Sequence, residues 1–265
     1  MVESYIKSRD ISLRYITFGK GSEPLIAFHG FGQNADMFLP IEKGLENNFT
    51  VYAFDFAFHG KSTGKDNCPF SKIEMTEVIN QLMTEKGFSK FSLMGFSMGG
   101  RICLSLMTSM VGRINKVLLL APDGIIEKLH YKPFVANRFG AAMFKYLLSK
   151  PDIFINGAEI LKKAGLMKAY VRDYVVNYMR SARHRQKLFN IWASIKTFDI
   201  DRDKIVLLIE SEEIALYLFW GKNDKMIPFK NGQHLKQKAP KTRFHVVEGG
   251  HFIVGDKLNE VMRKI

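Results

Sequence analysis

The sequence predicts an α/β protein: a mainly parallel β-sheet, covered by helices on both faces and interrupted by a helical insert. Short apolar runs alternate with segments of helical period, and one long stretch contains no strand-like run. Strands that are apolar on both faces are typical of parallel sheets buried between helical layers. The 265 residues, 46% hydrophobic and 25% charged, are ordinary for a globular protein.

Seven strands are predicted from runs of β-branched and aromatic residues that glycine, aspartate or asparagine bounds. They are Ile11–Phe18, Pro24–Phe28, Val51–Phe56, Lys90–Met94, Lys116–Leu120, Ile214–Trp220 and Arg243–Val247. Helices are predicted between them at Ser71–Lys86 and Met98–Met110, and at the C-terminal Lys257–Ile265.

The predicted organisation is a core in two parts, residues 1–124 and 212–265, with a helical lid at 125–211. Segments of helical period fill the lid, for example Lys168–Phe189. The stretch between Glu127 and Ile200 contains 14 basic and five acidic residues, so its net charge of +9 makes up most of the +13 of the whole chain. The excess could attract an acidic ligand, a membrane surface or nucleic acid; alternatively, it is a set of solvated helix faces.

A cytoplasmic location is expected. The apolar run Ile214–Trp220 has seven residues, against the ~20 that cross a bilayer. The N-terminal MVESYIKSRD carries charges where a signal peptide would be apolar. Two cysteines, Cys68 and Cys103, are too few for a disulfide framework and lack metal-ligand spacing.

The candidate nucleophile is Ser97, in the G-x-S-x-G pattern of residues 95–99. The pattern joins a predicted strand directly to a predicted helix, and glycines allow the sharp turn that exposes a serine at the sheet edge. The helix N-terminus would direct N–H groups toward negative charge that develops near this serine. A plain strand–helix turn is the alternative.

A serine hydroxyl needs a base, and seven histidines compete for that role. His251 is the best placed, in a glycine-rich loop that follows the last predicted strand, because open α/β sheets collect their active sites at strand C-termini. Two others, His29 and His59, lie in glycine-containing motifs after strands. The remaining four fall within helical segments or the last strand: His130, His184, His234 and His245.

The base needs a carboxylate to fix its tautomer. Asp224 follows the strand Ile214–Trp220, and the chain order Ser97, Asp224, His251 matches one known arrangement of such triads. Asp123 is a rival, since it follows the strand Lys116–Leu120 at the same end of the sheet.

These motifs resemble those of the α/β-hydrolase fold enzymes, over about residues 8–125 and 213–265. The resemblance rests on five segments in order: HGFG at 29–32, DFAFHGKS at 55–62, GFSMG at 95–99, GKNDKMIP at 221–228 and EGGHF at 248–252. It implies an eight-stranded, mostly parallel sheet and an oxyanion hole formed by the N–H groups of Phe31 and Met98. His29 and His59 would shape loops, and Phe58 stands where the family usually has glycine.

The resemblance implies a serine hydrolase that cleaves a small carboxylic ester or related acyl bond without a metal or an organic cofactor. The substrate would be a small molecule, which could be anionic, held near Phe31, Phe96 and Arg101. The GFSMGGR segment also resembles the SHCHC synthases of menaquinone biosynthesis, lyases in which the arginine at the position of Arg101 contributes to binding a substrate carboxylate. A helix residue paired with a core acid is the plainer interpretation of Arg101.

Other functions remain as alternatives. A hydrolase of carbon–carbon bonds in diketone acids would share the triad, and a non-catalytic receptor could retain it and bind a ligand through its lid. Nucleic-acid binding is not expected, because no recognised nucleic-acid motif accompanies the charge. Membrane insertion is not expected either, because the apolar run Ile214–Trp220 is too short to cross a bilayer. The sequence leaves the oligomeric state and the physiological substrate open.

Overall fold

The computed structural model describes residues 1–64, 66, 68–126, 138–167 and 169–265, and its centre is one eight-stranded β-sheet. The spatial order of the strands is β1-β2-β4-β3-β5-β6-β7-β8. Their bounds are β1 Val2–Ser8, β2 Ile11–Phe18, β3 Glu23–Phe28, β4 Phe49–Phe54, β5 Phe91–Phe96, β6 Ile114–Leu120, β7 Ala215–Gly221 and β8 Arg243–Val247.

The sheet is mostly parallel, as predicted. Only the β1–β2 and β2–β4 pairs are antiparallel. The other five pairs are parallel: β4–β3, β3–β5, β5–β6, β6–β7 and β7–β8. Every residue of β5 is buried, which is the pattern of a central strand covered on both faces. The carboxyl ends of the parallel strands therefore share one edge of the sheet, and the candidate residues follow these ends.

The helices that accompany the sheet are short to medium in length. They are α1 Glu42–Leu45, α2 Lys72–Lys86, α3 Met98–Ser109, α8 Arg202–Glu210, α9 Lys230–Lys238 and α10 Asp256–Met262. A capping box explains why α2 begins where it does: the Ser71 hydroxyl accepts from the Glu74 N–H while the Glu74 carboxylate accepts from the Ser71 N–H. Gly87, with φ 73°, ends the helix in the left-handed conformation.

The contacts divide the chain into two units. One contains the sheet and comprises residues 1–64, 71–127 and 198–265, and the other comprises 65–70 and 128–197. The described part of the second unit contains α4 Arg138–Ser149, α5 Pro151–Lys163, α6 Ala169–Arg180 and α7 Ala182–Ile195. The sequence-based boundary at 211 thus differs from the contacts, which group α8 with the sheet.

The second unit has its own internal contacts. The rings of Phe144 and Phe189 stack at 6.5 Å, and the Phe70 N–H donates to the Ser194 hydroxyl at 2.8 Å. The described residues of the helix-period segment Lys168–Phe189 belong to two helices, α6 and α7, because Ser181 adopts an extended conformation and caps the second one.

Some residues named in the sequence analysis lie outside the described residues. They are Glu127, His130 and Lys168. Among the helices that are described, none is both long and apolar enough to cross a membrane.

Candidate active site

Ser97 lies in the turn between β5 and α3, and its backbone takes an unusual conformation there. Its φ of 50° and ψ of −111° are sterically unfavourable for a residue with a side chain. The turn is held by its own backbone bonds: the Ser97 N–H donates to the Leu120 carbonyl at 2.9 Å, and the Ser97 carbonyl accepts from the Asp123 N–H at 2.9 Å. The strain is therefore maintained by β6 and the loop after it.

The glycines around Ser97 are required by close packing. A Cβ atom on Gly99 would lie 1.9 Å from the carbonyl oxygen of Phe28, and one on Gly95 would lie 2.4 Å from the carbonyl oxygen of Gly99. A Cβ on Gly100 would lie 2.3 Å from the Cβ of Pro122. Only residues without a side chain let α3 approach β3 and the loop after β6 this closely.

Ser97, His251 and Asp224 form a continuous hydrogen-bonded chain. The Ser97 Oγ lies 3.0 Å from His251 Nε2, and His251 Nδ1 lies 2.7 Å from Asp224 Oδ2. In the tautomer with the proton on Nδ1, His251 donates to Asp224 and presents the Nε2 lone pair to the serine hydroxyl. This is the arrangement in which a histidine can act as a base toward a serine.

The Asp224 carboxylate is held in place by the loop that carries it. Its Oδ1 accepts hydrogen bonds from the N–H groups of Met226 and Ile227 at 2.8 and 2.9 Å. The side chain of Asp224 has no exposed surface, whereas that of His251 is 16% exposed. Two backbone donors thus satisfy one oxygen and leave the other directed at the imidazole.

Asp123, the rival acid, has a different partner. Its Oδ2 accepts from Arg101 Nε at 3.1 Å, and Arg101 Nη1 also donates to the Phe198 carbonyl at 3.4 Å. The side chains of Arg101 and Asp123 are 13% and 28% exposed. This ion pair agrees with the plainer interpretation of Arg101, a helix residue paired with an acid. A contact of Arg101 with a substrate stays a prediction.

The loop after β3 carries Phe31, the first predicted oxyanion donor. Its shape depends on His29, which is fully buried: Nδ1 donates to the Gly30 carbonyl at 2.7 Å, and Nε2 accepts from the Phe56 N–H at 2.9 Å. These two bonds require a neutral imidazole with its proton on Nδ1. His29 therefore connects this loop to the turn after β4, which matches the loop-shaping role that the resemblance implied.

Met98, the second predicted donor, is the first residue of α3. The first N–H groups of a helix have no acceptor within the helix and carry the positive end of its dipole. Gly30, the residue before Phe31, lies beside Ser97, since a Cβ atom on Gly30 would lie 3.5 Å from the Ser97 Cβ. An oxyanion hole formed by the N–H groups of Phe31 and Met98 stays a prediction.

Phe96 precedes the nucleophile and packs against the base. Its ring centroid lies 5.1 Å from that of His251 and 5.7 Å from that of Phe252. A Cβ on Gly30 would lie 2.8 Å from the Phe96 ring, so the glycine makes room for it. Phe96 is buried, and these contacts stabilise the imidazole ring, whereas its predicted contact with substrate remains a prediction.

The turn at 55–62 departs from the family pattern at Phe58, and the backbone shows the effect. Phe58 has φ 66°, in the left-handed region that favours the usual glycine. Its ring packs over Gly64, where an added Cβ would lie 2.4 Å from it. A favourable packing contact therefore accompanies an unfavourable backbone conformation.

Arg14, in β2, supports this turn and was not identified from the sequence. Its buried guanidinium binds Asp55, Asp36 and Glu3, and Asp55 also accepts from the N–H of Ala35 at 2.7 Å. Hydrogen bonds from Lys61 and then Arg14 lower the pKa of the Glu3 carboxyl to about 2. An arginine in the middle of a strand that is otherwise mostly apolar is the sequence signal that could have indicated this network.

Metal ligation has no candidate in the described part of the chain, where no group of three or more histidine, cysteine, aspartate or glutamate side chains could hold an ion.

The sheet order, the strained serine turn and the loops after β3, β7 and β8 together define an α/β-hydrolase fold. The sequence profile of the alpha/beta hydrolase fold family matches residues 23–258. The chain therefore belongs to this family.

Several proteins are similar to this chain at low identity. The dihydrolipoyllysine-residue acetyltransferase component of an acetoin cleaving system from Cupriavidus necator is 24% identical over 94% of this chain. The chain spans 64% of that relative, less than two thirds of its length. A 2-hydroxy-6-oxononadienedioate/2-hydroxy-6-oxononatrienedioate hydrolase from Escherichia coli is 20% identical over 92% of this chain and 86% of that one.

Solved structures extend the likeness to the whole fold. An esterase from Thermogutta terrifontis superposes with a TM-score of 0.68 at 15% identity, covering 100% of this chain and 96% of that chain. At this identity the likeness shows the fold alone.

Proposed function

We propose that the protein is a serine hydrolase that cleaves a small carboxylic ester or a related acyl bond through an acyl-enzyme on Ser97. One observation carries this proposal: the hydrogen-bonded chain of Ser97, His251 and Asp224, at 3.0 and 2.7 Å, on the carboxyl edge of the sheet.

Acylation begins at the serine hydroxyl. Ser97 Oγ attacks the carbonyl carbon of the substrate while its proton moves to His251 Nε2, and Asp224 stabilises the imidazolium that forms. The N–H groups of Phe31 and Met98 donate to the oxyanion of the tetrahedral intermediate. The intermediate collapses when the bond to the leaving group breaks, and His251 returns the proton to the leaving alcohol.

Deacylation repeats these steps with water as the nucleophile. His251 removes a proton from water, the hydroxide attacks the acyl carbon, and the second tetrahedral intermediate expels Ser97 Oγ. The proton held by His251 returns to the serine, so that one water is consumed and one carboxylic acid and one alcohol are released.

A second candidate is a triad enzyme that cleaves an anionic substrate, either as a carbon–carbon hydrolase or as a lyase. Two observations favour it: the basic excess between Glu127 and Ile200, and a relative whose name gives a dioate as its substrate. A cationic surface attracts polyanions, and the same three side chains could then act on a proton of the substrate.

The nucleophile is tested with a fluorophosphonate probe. We expect the probe to label wild-type protein, and Ser97→Ala to remain unlabelled while its circular dichroism spectrum is unchanged. Ser211→Ala serves as the control serine and should label as the wild type does. Labelling of a folded Ser97→Ala protein, or no labelling of the wild type, would contradict the proposal.

Hydrolysis and elimination are separated with labelled water. In H₂¹⁸O, hydrolysis of a p-nitrophenyl ester places one ¹⁸O atom in the released acid, which mass spectrometry detects. A lyase reaction transfers no water oxygen to its products. Turnover of carboxylate-bearing substrates together with no turnover of esters would select the second candidate. The absence of ¹⁸O from its products would identify a lyase, and ¹⁸O in the released acid would identify a carbon–carbon hydrolase.

A further inference from the structure

A cavity of about 200 Å³ lies within the sheet-containing unit, between α8, α9 and the loop after β6. Most of its wall is apolar. The apolar side chains that line it are Leu104, Ile125, Ile126, Ile200, Ile205, Val206 and Leu235. The cavity is partly open to solvent, and its apolar wall favours a hydrocarbon group over water.

This cavity is separate from the triad. None of Ser97, Asp224 and His251 lines it. Its nearest element to the nucleophile is α3, where Leu104 lies seven residues beyond Ser97, or about 10 Å along the helix axis. The Arg101–Asp123 ion pair adjoins the cavity wall in the sequence. Arg101 lies between Ser97 and Leu104 on α3, and Asp123 directly precedes Gly124, which belongs to the wall.

The charged residues of the cavity are two cations and one acid. Arg202 and Lys238 line it, against a single acid, Asp203, and His234 also lines it. Arg202 Nε donates to the Ile125 carbonyl at 3.1 Å, which holds the loop after β6 against α8. The outer nitrogens of the same guanidinium form the fork that suits a carboxylate.

We propose that this cavity binds a small amphipathic carboxylate, with its hydrocarbon part among the apolar side chains and its carboxylate between Arg202 and Lys238. An apolar cavity of ~150 Å³ holds benzene, so the volume here accommodates a hydrocarbon part of about eight carbon atoms. The negative charge of the ligand follows from the excess of cationic over acidic side chains. The proposal does not depend on the chemistry of Ser97.

The test is isothermal titration calorimetry with octanoate on the full chain, and we expect saturable binding. Val206→Trp, which fills the cavity, should abolish it, whereas Leu207→Trp is the matched control. Leu207 is the next residue on α8, it does not line the cavity and its side chain is exposed, so this variant should bind as the wild type does. Ile126→Trp is a second cavity-filling variant, for use should Val206→Trp fail to fold.

Charge is tested on α9. Lys238→Gln should weaken octanoate binding by roughly tenfold, the loss of one charge-assisted hydrogen bond. Lys230→Gln is the control, because Lys230 begins the same helix and does not line the cavity. Octylammonium, with the same chain length and opposite charge, should not bind.

The outcomes separate this site from the active site. Loss of octanoate binding in Val206→Trp, with kcat/KM for a p-nitrophenyl ester unchanged, supports the proposal. Unchanged binding in a folded Val206→Trp protein would place octanoate elsewhere and overturn it, as would no saturable binding to the wild type. Equal binding of octylammonium would overturn the assignment of an anionic ligand. Because binding is measured directly, a protein without esterase activity still gives a result.

Discussion

The loops after β6 and β7 each carry an aspartate as their third residue, near the same edge of the sheet, yet the two carboxylates have different partners. Asp224 binds His251 at 2.7 Å, while Asp123 binds Arg101 at 3.1 Å. Asp224 has two backbone donors within its own loop, whereas the Asp123 carboxylate is directed at a side chain of α3. The comparison shows that position at the sheet edge does not by itself decide which acid can orient a histidine.

The difference arises from local geometry that a linear motif carries only in part. In GKNDKMIP, the residues after Asp224 fold back so that the N–H groups of Met226 and Ile227 reach its Oδ1. The loop after β6 instead places Asp123 beside Arg101, which lies one turn along α3 from Ser97. Chain position made both acids candidates, and the neighbours of each carboxylate separate them.

The largest predicted effect is on turnover. Asp224→Asn should lower kcat by roughly 10³–10⁴-fold with the fold intact, because an amide donor facing His251 favours the wrong imidazole tautomer. Initial rates with a p-nitrophenyl ester measure the loss, and circular dichroism checks the fold. Asp123→Asn is the matched variant, and we expect its kcat to change by less than about tenfold. The reverse ranking would assign the acid to the loop after β6.

The second effect is on stability. Asp123→Asn removes the Asp123 carboxylate from the Arg101 guanidinium, which is largely buried. We expect the free energy of unfolding to fall by about 1–2 kcal/mol, less than for a fully buried pair because Asp123 is partly exposed. Urea denaturation of Asp123→Asn, Arg101→Gln and the double variant measures the coupling between them. Additive changes in the two single variants would show that the ion pair contributes no stability.

Much of the fold could be predicted from the sequence, because its signals are local. All seven predicted strands are present within a few residues of their predicted bounds, and the motifs after β5, β7 and β8 hold the three residues of the hydrogen-bonded chain at Ser97. The added strand β1 escaped prediction because the apolar and aromatic residues of Val2–Ser8 do not alternate with its polar ones, few are β-branched, and the strand stands at the sheet margin. Arg14 escaped because its three acid partners are distant in sequence, and such long-range pairing has no periodic signature.

The third effect concerns pH and the strand β8 that leads to His251. Burial, and secondly the nearby Arg243, lower the pKa of His245 below its ordinary value of 6.5. The unfolded chain then binds more protons than the folded one as pH falls through 6.5 and below, so the free energy of unfolding decreases with acidification. Urea denaturation is measured between pH 5 and pH 8, a range that includes the ordinary pKa of 6.5 and values below it. The free energy of unfolding should decrease less steeply with acidification in His245→Phe, whose ring can still stack on Phe219. An identical slope in both proteins would assign the acid sensitivity to other groups.

The smallest predicted effect is on the ratio of kcat/KM between an anionic and a neutral ester. Its dependence on salt distinguishes binding by Arg101 from attraction by the basic stretch between Glu127 and Ile200. Because Arg101 already binds Asp123, we expect any preference to come from long-range attraction by the basic stretch. Such attraction is screened, with a Debye length of ~10 Å at 0.1 M salt and ~3 Å at 1 M. The measurement is kcat/KM for a neutral ester and its carboxylate-bearing analogue as the salt concentration rises, in wild-type protein and in Arg101→Gln. An advantage of the anionic ester that vanishes with salt and survives Arg101→Gln supports attraction by the basic stretch. An advantage that resists salt and disappears in Arg101→Gln would instead assign carboxylate binding to Arg101, at the expense of its ion pair with Asp123.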